Sequence, residues 1–99
     1  MAKALVLEFE GVGRDGYDAV NERLGGLDVS SPDADWPAGI LSQMAGSTET
    51  GWVVIEVWES QEAQAAFMDG RLGPALHDAG MPAPTRITWM DVAADTRIG

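Results

Sequence analysis

Apolar residues fall along this chain in two rhythms, alternating where the pattern suits a strand and recurring every three or four positions where it suits a helix. Ala4-Leu5-Val6-Leu7-Glu8-Phe9-Glu10 is β-rich and stops at Gly11, which predicts a first strand. From Asp15 to Leu24, Tyr17, Val20 and Leu24 lie at i, i+3 and i+7 on one helical face. Asp15 suits the start of that helix and Gly25-Gly26 its end. Pro32, Asp33, Asp35 and Pro37 make Leu27 to Ala38 a loop, with Trp36 inside it as a plug over the core. Gly39 to Ala45 reads as a second strand and Trp52 to Trp58 as a third. The turn residues Gly46 to Gly51 fold the two into an antiparallel hairpin. Ser60 is placed to cap a helix whose first turn holds Glu62, and Ala63, Ala66, Phe67 and Gly70 follow at helical spacing. Asp69-Gly70 breaks or bends that helix. Pro74 opens a short continuation with the stripe Leu72, Ala75, Leu76 and Ala79, closed by Gly80. Met81-Pro82-Ala83-Pro84 is a stiff connector, Arg86 to Val92 a last strand, and residues 95–99 a loose tail.

The order β-α-β-β-α-β predicts an α+β, ferredoxin-like domain: a four-stranded antiparallel sheet with two helices on one face. Its strands are apolar on both sides, however. Val53, Ile55 and Val57 oppose Trp52, Val54 and Trp58, and Leu5, Leu7 and Phe9 oppose Ala4 and Val6. An antiparallel sheet with one wet face alternates cleanly, and two helices cover only one face. The uncovered face is therefore expected to meet its copy in a symmetric homodimer, with Trp52, Trp58 or Trp89 near the shared surface.

Composition narrows the function classes. Ninety-nine residues, 45% hydrophobic, make a single domain spanning 1–99 with a modest core. Six basic residues against sixteen acidic ones give a net charge of −10, which repels phosphate backbones and anionic lipid surfaces. No nucleic-acid or membrane partner is expected. No apolar run approaches the roughly 18–20 residues that span a bilayer, and the acids of the N-terminal run are unlike a signal peptide. A cytoplasmic location is the expectation, in keeping with the absence of cysteine.

The run Gly51-Trp52-Val53-Val54-Ile55-Glu56-Val57-Trp58-Glu59-Ser60, then Glu62-Ala63, Phe67 and Arg71-Leu72-Gly73-Pro74-Ala75-Leu76, resembles small members of the dimeric α/β-barrel superfamily. That group includes the antibiotic-biosynthesis-monooxygenase-type domains. The resemblance implies a dimeric α/β barrel. It implies no single activity, because the superfamily holds oxygenases, haem-binding and haem-degrading enzymes, isomerases and members without a known role.

Haem-degrading relatives use an axial histidine late in the second helical region, a tryptophan upstream of it and an asparagine on the first strand. Counted from Val57-Trp58, His77 falls at the histidine's place, but Phe67 fills the tryptophan's and Lys3 to Glu10 contain no asparagine. His77 also points about 140° from Leu72 on the helical stripe. A solvated histidine and no haem cofactor are expected. As the single imidazole in a chain without cysteine, His77 has no partner at metal-site spacing, so no metal site is expected either. A serine triad and a dinucleotide fingerprint are likewise unreadable, since Gly11-Val12-Gly13 lacks the third glycine.

Cofactor-independent oxygenases of the superfamily surround a deprotonatable polyaromatic substrate with polar and aromatic groups. The matching residue types here are Trp52, Trp58, Trp89, Tyr17, Asn21, Arg23, Arg71 and Arg86, though the tryptophans equally suit core or dimer packing and Asn21 an exposed helix face. Glu56 interrupts the most apolar strand. It can pair with Arg86 across the sheet, line the barrel lumen, or act as a base with a raised pKa. The pocket candidates are thus Trp52, Glu56, Trp58, Phe67, Trp89 and Arg86. The expected function is binding of a small apolar or aromatic molecule between sheet and helices, without a complete catalytic set. The alternative is a cofactor-independent monooxygenase acting on a phenolic or quinone-type polyaromatic.

Overall fold

The computed structural model describes residues 2–24 and 36–95. The chain runs β1 (Lys3–Glu10), α1 (Arg14–Arg23), β2 (Ile40–Ser47), β3 (Gly51–Trp58), α2 (Gln61–Phe67), a wide helical turn (Met68–Leu72), α3 (Gly73–Asp78) and β4 (Arg86–Asp91). The glycine stop after α1, most of the loop expected from Leu27 to Ala38, and all but the first residue of the expected tail lie outside the described residues.

All strand pairs are antiparallel, in the order β2-β3-β1-β4, which is the ferredoxin-like arrangement. The register decides which side chains share a face. Leu5 pairs with Glu56 and with Trp89, Leu7 with Val54, and Phe9 with Trp52, so these residues all face the helices. Val6, Ile55, Met44 and Thr88 line up on the opposite face, as do Ala4, Val57 and Met90. A bulge between Ile40 and Ser42 takes up Leu41 and keeps Ile40 level with Trp58 on the helix side.

Two apolar clusters fill the space under the helices. Val20 and Leu24 of α1 meet Trp58, Phe67, Leu72 and Ala75 in one, and Leu5, Leu7, Phe9, Trp52 and Val54 form the other. Trp58 is fully buried, with its ring 5.8 Å from that of Phe67. Trp36 packs on the first cluster as the plug expected of it. Close backbone approaches fix two glycines. A Cβ at Gly51 would lie 1.9 Å from the Phe9 carbonyl oxygen, and one at Gly39, where φ is +92°, would lie 2.6 Å from the Cβ of Ala63.

The expected helix break takes a defined form. Ser60 caps α2, its Oγ accepting from the Ala63 N–H at 3.2 Å. Beyond Phe67 the helix widens, and the Gly73 N–H donates back to the Met68 carbonyl, five residues away. Pro74 then opens α3, where its missing N–H costs nothing. His77 is exposed on α3.

The tryptophan expectation needs correction. Trp52, Trp58 and Trp89 face the helices, while the open face presents Val6, Met44, Val53, Ile55, Val57 and Met90. Met44, Met90 and Ile55 are 66%, 57% and 37% exposed. Both strand faces are apolar in sequence, so hydropathy alone does not say which one the helices take.

Candidate functional site

The helices do not close completely on the sheet. Between them lies a pocket of about 60 Å³. Tyr17, Val20, Asn21 and Leu24 of α1 form one wall, and Phe67, Met68, Leu72 and Leu76 of the second helical region form another. The sheet supplies the floor through Leu7, Phe9, Ile40, Gln43, Val54 and Glu56, with Trp36, Pro37, Met81 and Pro84 around the margin. That volume holds a few waters. A larger guest requires its walls to move, and the unbranched side chains of Met68 and Met81 repack more readily than branched ones.

The polar groups at the floor are joined. The Tyr17 hydroxyl donates to Gln43 Oε1 at 3.0 Å, and Gln43 Nε2 donates to Glu56 Oε2 at 3.1 Å. The Trp58 indole Nε1–H, behind the floor, donates to Glu56 Oε1 at 3.0 Å. Pairing and the pleat explain this chain of contacts. Gln43 and Glu56 are directly opposed across β2 and β3, and Trp58 lies two residues from Glu56 on the same face. Tyr17 is held in turn by Trp52, whose ring centroid is 5.2 Å away.

Burial pushes the Glu56 carboxyl above the usual carboxylate range, and the hydrogen bonds from Trp58 and Gln43 pull part of the way back. The sign of the consequence follows from linkage. A carboxyl raised in the folded state binds its proton more tightly there than in the unfolded chain. Its stabilising effect is complete at acid pH and is lost as pH rises through the raised value. Gln fits the same contacts if the Gln43 amide turns over. Glu56→Gln is therefore expected to flatten that part of the stability–pH curve and to melt above the wild type at pH 8, as thermal denaturation across pH 4–9 will show.

The other candidates distribute as follows. Glu56 and Phe67 line the pocket, and Trp58 stands behind it as the donor to Glu56. Trp52 buttresses Tyr17, and its own Nε1 is buried without a partner among the described residues. Trp89 is half-buried beside the second cluster. Arg86 does not pair with Glu56: β1 separates β3 from β4, and Arg86 lies on the open face with its Nε 3.7 Å from Glu8. Arg71 donates to the Leu24 carbonyl oxygen at 2.9 Å, and Arg23 to that of Ala19 at 3.1 Å. Asn21 is a correction too, since it is half-buried and lines the pocket. Gln43 went unrecognised in the sequence. Its signal was a polar residue at an inward position of β2, detectable once the register with Glu56 is known.

No three His, Asp or Glu side chains among the described residues converge to hold a metal ion. No helix among them is long and apolar enough to cross a membrane.

No family model matches the chain, and no curated protein matches it. Solved structures do. A Chloroflexus aurantiacus protein assigned to the antibiotic biosynthesis monooxygenases aligns over 100% of both chains at 17% identity, with a TM-score of 0.70. The Rv0793 protein of Mycobacterium tuberculosis aligns over 98% of this chain and 100% of its own at 16% identity, with a TM-score of 0.62. The ActVA-Orf6 monooxygenase of Streptomyces coelicolor, solved with Nanaomycin D, aligns over 99% of this chain and 92% of its own at 18% identity, with a TM-score of 0.59. At such identities the likeness defines the fold. The chain is an α+β ferredoxin-like protein with the architecture of the antibiotic-biosynthesis-monooxygenase type.

Proposed function

We propose that this protein binds a small apolar or aromatic molecule between sheet and helices and works as a symmetric homodimer joined through its open sheet face. The carrying observation is the pocket itself, apolar on its walls, with a hydrogen-bonded group of Tyr17, Gln43 and Glu56 at its floor. A concave apolar site with a few convergent polar groups is the usual form of a small-molecule site. The homodimer is supported by the exposed apolar band of Met44, Ile55 and Met90, which no helix among the described residues covers. The absence of cysteine suits work in the reducing cytoplasm.

A second reading is a cofactor-independent monooxygenase acting on a phenolic or quinone-type polyaromatic. It is supported by the likeness to a monooxygenase solved with Nanaomycin D. The pocket lining counts against it, because no Arg, Lys or His among the described residues is present there to hold a substrate anion. Titration of the purified protein with naphthalene derivatives, followed by calorimetry and by oxygen consumption, separates the two. Saturable binding of one molecule per chain without oxygen uptake is the expected result. Sustained uptake would favour the enzyme, and the absence of binding would remove both readings.

A further inference from the structure

Among the described residues the pocket is lined by no Arg, Lys or His. Its ionisable lining residues, among those described, are Glu56 and Tyr17. Glu56 is 3% exposed, and no cation among the described residues pairs with it: Arg86 lies across the sheet against Glu8, and Arg71 donates to the Leu24 carbonyl at the end of α1. Each carboxyl oxygen accepts one hydrogen bond, from Trp58 Nε1 and from Gln43 Nε2. A carboxylate has about four accepting positions, so roughly half of this capacity is left for whatever fills the pocket. The Tyr17 hydroxyl occupies Gln43 Oε1, which directs the Gln43 amide N–H groups towards Glu56 and keeps the carboxyl in place.

We infer that Glu56 makes the pocket selective for neutral aromatic molecules carrying a hydrogen-bond donor, a phenolic hydroxyl or an aryl amine, against donor-free isosteres and aromatic carboxylates. This rests on the pocket being a ligand site. In the empty pocket, whose volume holds a few waters, the remaining lone pairs of Glu56 are open to hydration. A phenol displaces that water and replaces its hydrogen bond. A methyl ether displaces it and replaces nothing, leaving a buried acceptor unpaired. An aromatic carboxylate brings a negative charge into a site of low polarity that already holds a carboxyl group and, among the described residues, no basic side chain. Sites built around a polar contact reject the analogue lacking it far more strongly than apolar pockets reject a change in size.

The test compares 2-naphthol, 2-methoxynaphthalene and 2-naphthoate by isothermal titration calorimetry on the full chain at pH 7. The wild type is expected to bind the naphthol about 10- to 100-fold more tightly than the ether, with the naphthoate weakest. In Glu56→Gln, whose fold is checked by circular dichroism, the naphthol–ether gap is expected to shrink and naphthoate binding to improve. Equal wild-type affinity for naphthol and ether, or a preference that a folded Glu56→Gln retains, would overturn the inference and leave the pocket reading standing. Binding of none of the three would overturn the pocket reading and this inference with it. If Glu56→Gln does not fold, the wild-type series decides alone.

Discussion

Trp58→Ala is expected to remove a large share of the stability of this domain. The side chain is fully buried, packs with Val20, Leu24, Phe67, Leu72 and Ala75, and supplies the donor to Glu56 Oε1. Truncating a buried tryptophan to alanine costs roughly 3–5 kcal/mol, against a total of about 5–15 kcal/mol for an ordinary domain. The lost indole N–H adds to the damage, because a buried carboxyl then has one donor instead of two. A fall in melting temperature of at least about 12 °C follows, taking about 4 °C per kcal/mol for a domain of this size. Trp58→Phe keeps most of the ring volume, loses the donor, and should fall between the two. Urea denaturation followed by circular dichroism checks the series, and a Trp58→Ala midpoint close to the wild type would contradict the packing argument.

The second large effect is on association. Ile55 lies at the middle of the open sheet face, with Val6 and Met44 as its cross-strand neighbours. Glu at this position remains solvated in a lone chain, so the fold should survive. In the proposed homodimer it would have to be buried in both copies without a counter-charge. The dissociation constant is therefore expected to rise by roughly 100-fold or more. Sedimentation at micromolar concentration should report twice the chain mass for the wild type and the chain mass for Ile55→Glu. Each chain carries a charge of −10, so added salt should tighten the wild-type dimer by screening their mutual repulsion. A wild type that sediments as a monomer under these conditions would dispose of the homodimer.

Local signals in the sequence were sufficient for the order of elements. Strand periodicity places β1 and β3 within a residue of their ends, and Ser60 announces the start of α2 before any tertiary contact is known. Sidedness was harder to read. β3 is apolar on both faces, so its pattern gives two sets of residues but not which set the helices take. Arg86 shows the same limit: its charge suggested a partner for Glu56, and only the position of β1 between β3 and β4 separates them. Glu56 stood out because it interrupts an apolar strand. Tyr17 was singled out only as a residue type suited to an aromatic substrate and Gln43 not at all, since the contact that joins them to Glu56 depends on a register and on a helix docking that no local pattern carries.

The wide turn at Met68–Leu72 alters what sequence spacing means in this region. Eight residues of regular α-helix would leave Ala75 about 80° out of phase with Phe67. Both are buried in the same cluster. A turn that absorbs one residue without adding rotation reduces the offset to about 20°, and so lets α2 and α3 present one continuous face to the sheet. The turn works as a phase correction, and a residue count taken across it overstates the angle travelled by one step. His77 lies beyond this correction. A positional match reached by counting from Trp58 to His77 therefore measures distance along the polypeptide, and its direction in space must be read with one residue removed.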